Sequence, residues 1–85
     1  MATVKEQFEQ AAQNVKSLKE RPDNDTMLRL YALYKQGSEG DVSGPVPGVF
    51  DFTASAKYHA WSKLEGTGQE SAMKKYIDLV NSLTA

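Results

Sequence analysis

Residues 27–37 read Met27-Leu28-Arg29-Leu30-Tyr31-Ala32-Leu33-Tyr34-Lys35-Gln36-Gly37. Met27, Leu30, Tyr31 and Tyr34 fall at helical spacing, and Leu28 and Ala32 widen the apolar surface. Side chains three and four positions apart share one helix face, so Tyr31 stands beside both Tyr34 and Lys35. Asp23, Asn24 or Asp25 can cap the start of this helix, which runs to about Gln36. Gly37 or Gly40 ends it.

Three more helices flank this one. Upstream, Val4, Phe8, Ala11, Ala12, Val15 and Leu18 define one face of a helix from about Val4 to Lys19. Thr3 and Glu6 have the capping-box spacing, and Pro22 marks the stop. Downstream, Phe52, Ala56, Ala60 and Leu64 repeat every fourth residue with Trp61 beside them, in a helix opened by Asp51 or Thr53 and closed by Gly66. Thr67-Gly68-Gln69-Glu70 repeats the capping-box pattern ahead of a stripe of Ala72, Met73, Tyr76, Ile77, Val80 and Leu83. Between the second and third helices lies Ser38 to Phe50, about 13 residues with Gly40, Gly44, Gly48, Pro45 and Pro47. Loops that long in small domains are usually functional or mobile. No strand pattern competes, so the class is all-α.

Composition sets the outer bounds. The 85 residues suit a single domain, residues 1–85. A formal net charge of −1 gives no support for nucleic-acid binding, which usually shows a basic excess. Cysteine is absent, which removes disulfides, thiol catalysis and thiolate zinc sites, and suits a cytoplasmic protein. The first residues carry no apolar secretory core, and the apolar run around Leu30 is too short to span a bilayer. No stable membrane insertion is expected.

The catalytic and metal patterns fail one by one. His59 is the only histidine, so no site with two histidine ligands exists, and Ser55 four residues before it is no sign of an activated nucleophile. Asp23-Asn24-Asp25 opens like a calcium loop, but Leu28 stands where that loop needs glycine and Tyr34 where it needs glutamate. The glycine-rich loop lacks the Lys-Ser or Lys-Thr ending of a phosphate-binding loop. A phosphopantetheine attachment site needs Asp-Ser-Leu at a helix start, and the nearest match is Asn81-Ser82-Leu83 at the chain end. No enzyme, no metal site and no cofactor are expected.

What remains is a set of aromatic and basic groups. Tyr31, Tyr34 and Lys35 share a helix face, and Lys57, Tyr58 and Tyr76 could add to them. Lysine neutralises phosphate, and tyrosine stacks on a base or donates through its hydroxyl. The plain alternative is that the tyrosines are half-buried core and the lysines are solvated.

The order of motifs tips that balance. Leu30-Tyr31-Ala32-Leu33-Tyr34-Lys35-Gln36 with Gly40-Asp41, then Pro47-Gly48-Val49-Phe50-Asp51-Phe52 and Ala56-Lys57-Tyr58-His59-Ala60-Trp61, is similar to the signature of the acyl-CoA-binding protein family. Gly66-Thr67, Ala72-Met73-Lys74-Lys75-Tyr76-Ile77 and, upstream, Val15-Lys16-Ser17-Leu18 with Pro22 extend the resemblance over nearly the whole chain.

The resemblance implies a four-helix bundle of up-down-down-up topology. It implies an intracellular carrier and pool former that binds long-chain acyl-CoA without catalysis or cofactor. A monomer is the plain expectation. By position it implies that Tyr31 stacks on the adenine, that Lys35, Lys57 and Tyr76 meet the phosphates, and that Lys16 adds a head-group contact. Tyr34 matches the second signature tyrosine, and Ala12, Met27 and Leu28 would line the acyl groove. Val46 and Ser55 stand where many members have basic residues, which predicts weaker phosphate attraction. Those two departures also favour the alternative, a helical protein-interaction module that has lost the ligand. The sequence leaves open the preferred chain length, the affinity, the pathway served, the source organism, and any membrane or protein partner.

Overall fold

The computed structural model describes residues 2–84. It contains four α-helices, α1 (Val4–Asn14), α2 (Asn24–Glu39), α3 (Phe52–Ser62) and α4 (Gln69–Thr84), and a 3₁₀ turn at Val15–Ser17. No strand occurs among the described residues. Both α1 and α2 pack against α4, while α3 packs chiefly on α2. Helices that are neighbours in sequence but packed mainly on a third helix are what the overhand connections of an up-down-down-up bundle produce.

The helix starts follow the local chemistry. Thr3 Oγ1 accepts from Glu6 N at 3.1 Å and Thr3 N donates to Glu6 Oε1 at 3.3 Å, closing the expected capping box. Asp23 Oδ1 accepts from Thr26 N at 2.8 Å, and Asp51 Oδ1 from Ala54 N at 3.2 Å. The second expected box does not form: among the described residues the Thr67 side chain makes no bond to Glu70. α4 begins at Gln69, so Gly68 and not Thr67 is the residue that precedes it; the Thr67 carbonyl accepts from Gln36, and Glu70 pairs with Lys74 at 3.6 Å.

Three helix boundaries or faces differ from the periodicity. The first helix ends at Asn14 rather than Lys19, because one 3₁₀ turn tightens it and Leu18 then goes extended, ψ 133°. Pro22 is therefore not the stop. The second helix runs through Gly37 to Gly40, whose φ of 86° suits glycine alone. Gly37 is helical, and the lack of a side chain suits it because α1 and α4 come close there: a Cβ on it would lie 3.1 Å from both Phe8 Cζ and Met73 Cγ. The third helix buries only Trp61; Phe52 is 76% exposed and Ala56 is also exposed, so the fourfold repeat is not a core stripe. A helix with one main packing partner needs only a narrow contact.

The core joins Phe8 and Ala11 of α1, Leu30 and Leu33 of α2, and Ala72, Tyr76 and Val80 of α4. One polar side chain, Gln36, is 0% exposed. Its Nε2 donates to the Thr67 carbonyl at 2.7 Å and to Asp41 Oδ1 at 2.9 Å, while its Oε1 has no partner. Asp41 Oδ1 also accepts from Gly66 N at 2.9 Å. Trp61 Nε1 donates to the Gly40 carbonyl at 2.9 Å. These bonds fasten the end of α2 to the end of α3 and to the turn that opens α4.

Two outcomes follow from this fastening. Gln36→Ala strands the Thr67 carbonyl and should cost about 1–3 kcal/mol in chemical denaturation, with the fold retained. The Gly66 and Gln36 donors lower the Asp41 pKa below its ordinary 3.8. A depressed carboxylate stabilises the fold above that ordinary value and loses its contribution as pH falls through the lowered one. Thermal melts should therefore show a shallower acid decline in Asp41→Asn than in the parent below about pH 4.

Candidate functional site

A cleft of ≈ 950 Å³ opens where the 3₁₀ turn, the following coil, the first turns of α2 and the start of α3 meet. Its polar rim carries Lys16, Lys19 and Arg21 from the coil side and Lys57 from α3, against one carboxylate, Glu20. Its apolar wall is Val15, Leu18, Met27, Leu28 and Leu30. Tyr31, Tyr34 and Tyr76 stand between the two. The early end of α1 makes this possible, because the extended residue Leu18 lies in the wall.

Seven of the nine residues named from the sequence line this cleft: Lys16, Met27, Leu28, Tyr31, Tyr34, Lys57 and Tyr76. Lys35 and Ala12 do not. Ala12 is half-buried against the core cluster instead. Lys35 points along α2 to Glu39, with its ammonium 4.9 Å from the centre of the Trp61 ring. The Glu39 hydrogen bond raises the Lys35 pKa above 10.5, so this ammonium stays charged.

Among the lining residues missed from the sequence are Lys19, Arg21 and Thr53. The signal for the first two was the charge run from Lys16 to Arg21, which a helix drawn to Lys19 would spread around its circumference. Val46 and Ser55 do not line the cleft.

Electrostatically the cleft is cationic and unspent. The ion pairs among the described residues are Lys35–Glu39 and Lys74–Glu70, so none of the four rim cations is committed to a carboxylate. Lys57 Nζ instead sits 5.3 Å from the centre of the Tyr31 ring. That is cation–π distance. An aromatic base taking this face of Tyr31 must move the ammonium aside, toward whatever anion the base carries.

The other two tyrosines are part of the packing. Tyr34 stacks on Phe8 with ring centres 5.3 Å apart, and Tyr76 meets Phe8 edge-on at 5.1 Å. Tyr34 is nevertheless 42% exposed, whereas Tyr76 is buried. Burial, with the neighbouring Tyr34, pushes the Tyr76 phenol above 10.0, so it remains a neutral donor at physiological pH.

The remaining chemical groups lie elsewhere. His59 is exposed on α3, and its carbonyl accepts from Ser62 Oγ at 2.8 Å. Among the described residues there is no cluster of three or more metal-ligating side chains.

The arrangement can hold a polyanion on its rim, an aromatic ring on Tyr31, and an alkyl group along Met27 and Leu28. Comparison with known proteins points the same way. Residues 5–80 match the family model described as "Acyl CoA binding protein". The Drosophila melanogaster acyl-CoA-binding protein homolog is 48% identical over 82 residues, covering 96% of this chain and 95% of that one. The rat enoyl-CoA delta isomerase 2 is 48% identical over 85 residues, but the chain spans only 22% of its length. Among solved structures, Oryza sativa acyl-CoA-binding protein 2 superposes with a TM-score of 0.92 at 38% identity, over 96% of this chain and 91% of that one.

A raised phenol pKa penalises ionisation in the folded state, so stability should decline as pH rises above 10.0. Absorbance titration of the four tyrosines should show a late-ionising phenol that Tyr76→Phe removes. The same variant should lose less stability on going alkaline.

Proposed function

The chain belongs to the acyl CoA binding protein family, and from that premise we propose that it binds long-chain acyl-CoA thioesters and acts as an intracellular, cytoplasmic carrier of them, without catalysis. The observation that carries this reading is one cleft in which four uncommitted cations, three tyrosines and an apolar wall converge. A nucleotide head with phosphates and an alkyl tail needs all three kinds of surface.

The family resemblance suggests a role for each residue, and the geometry supports it. Lys16, Lys19, Arg21 and Lys57 form charge-assisted bonds to the phosphates. Tyr31 stacks on the adenine as Lys57 swings off its ring. Tyr76 donates its neutral hydroxyl, and Tyr34 contributes its exposed edge. Lys35 reaches the head group only by exchanging Glu39 for a phosphate, so its net contribution is smaller than that of Lys57. Met27 and Leu28 receive the first part of the acyl chain. No helix among the described residues is long and apolar enough to cross a membrane, and the carrier acts as a monomer.

Isothermal titration with palmitoyl-CoA, coenzyme A and palmitate tests the reading. The thioester should bind one-to-one and far more tightly than either half. Each methylene taken out of water contributes about 0.8 kcal/mol, so dodecanoyl- and palmitoyl-CoA should differ by up to about 200-fold. Affinities that stay flat with chain length would remove the apolar wall from the account. Lys57→Ala should weaken binding about tenfold with an unchanged circular dichroism spectrum. Lys35→Ala should weaken it less, and added salt should reduce the difference between Lys57→Ala and the parent.

A further inference from the structure

A second cleft, of ≈ 840 Å³, lies farther along the α2–α3 seam and reaches α4. It exists because α3 packs on α2 and leaves α4 largely uncovered. Its apolar lining is Leu28, Ala32 and Leu33 of α2, Ala60 and Leu64 from α3 and the turn after it, and Leu79 of α4. Leu28 is the one residue that lines both clefts.

The two clefts are also linked along α3. Thr53 and Lys57 border the first, Ala60 and Leu64 the second. Positions 53, 57 and 60 recur at helical spacing on α3, so they continue one face, and Leu64 follows in the turn after it. Thr53 and Ala60 are separated by about 10 Å along the axis. The path between the clefts is therefore short, lies on one helix face, and passes Leu28.

We propose that the second cleft receives the distal part of acyl chains too long for the first, with Leu28 as the wall the chain passes. This rests on the carrier reading above and deepens it. Pockets of roughly 300–1,000 Å³ enclose a drug-sized ligand. A long-chain acyl-CoA carries a nucleotide, a pantetheine arm and a tail, and all three compete for a cleft of ≈ 950 Å³. A longer tail gains from further apolar surface, and the one continuous with Leu28 is this one.

The rim chemistry does not select a charged occupant. Arg29, Lys63 and Lys75 face Asp25 and Asp78, a mixture nearly balanced in sign. No buried polar side chain of the lining waits for a partner, since the unpartnered buried atom among the described residues, Gln36 Oε1, belongs to neither cleft. An alkyl segment requires nothing else.

The test uses the whole, isotope-labelled protein in nuclear magnetic resonance titrations with decanoyl-CoA and eicosanoyl-CoA. Both thioesters should shift Lys16, Tyr31 and Lys57. Only eicosanoyl-CoA should shift Ala60, Leu64 and Leu79. Ala60→Trp, which fills the second cleft, should leave the decanoyl-CoA affinity unchanged and weaken eicosanoyl-CoA about tenfold. If that variant does not fold, the titrations of the parent decide alone.

The proposal fails if eicosanoyl-CoA shifts the first cleft and leaves Ala60, Leu64 and Leu79 unmoved. It fails equally if palmitate alone reproduces their shifts, which would make the second cleft an independent fatty-acid site. Shifts at those residues on dilution without ligand would assign the cleft to a second copy of the chain and overturn it too. If neither thioester moves the first cleft, the carrier reading itself falls, and this inference with it.

Discussion

Gln36 is sealed inside the end of α2 and spends both protons of its amide on the fold, one on the Thr67 carbonyl and one on Asp41. A buried amide is costly unless bonded, so its position fixes the groups it bonds to. Asp41 passes the constraint to the Gly66 amide, and Trp61 closes a parallel link to the Gly40 carbonyl. Without these bonds α3 has little to hold it, because Trp61 is its only buried residue. Lys57 and Thr53, which complete the cleft, are carried on that helix. The cationic side of the binding surface thus depends on a polar contact at the far end of α2.

The opposite side depends on packing. Phe8, Tyr34 and Tyr76 bring α1, α2 and α4 together, and two of the three rings also line the cleft. Removing Tyr76 would therefore remove both a core ring and part of the cleft lining, whereas Lys57, exposed on α3, can be changed with little cost to the fold. The two signature lysines differ for the same reason. Lys57 rests on Tyr31 alone, but Lys35 is tied to Glu39 and lies over Trp61, so it also braces the joint between α2 and α3.

How much of this was legible follows from what each signal measures. Caps at Thr3, Asp23 and Asp51 are local, and they appear where the sequence placed them. The stripe of α4 is also real, because α4 packs on both α1 and α2 and uses a broad face. Periodicity misled at α3, where Phe52 and Ala56 keep the spacing of a core stripe but have no helix opposite them. It could not show that Gly37 stands inside the helix where Phe8 and Met73 approach from distant segments. Of the cleft lining, Met27, Leu28, Tyr31 and Tyr34 on α2, Lys57 on α3 and Tyr76 on α4 were named from the motifs, whereas Thr53 was missed and Lys35 lies outside. Lys19 and Arg21 were missed as well, because their position depends on α1 ending early.

That early ending resolves an apparent conflict between charge and ligand. The chain as a whole carries −1, an unpromising balance for a partner rich in phosphate. Four cations and one carboxylate around the cleft make it locally +3. Fields are screened over roughly 8 Å at physiological ionic strength, so acids on the remaining surface do little to cancel it. Low-dielectric walls such as Leu18, Met27 and Leu28 focus the field of the rim into the opening. Val46 and Ser55 stand outside that rim, while Lys19 and Arg21 supply charge from the coil that a longer first helix would have carried away.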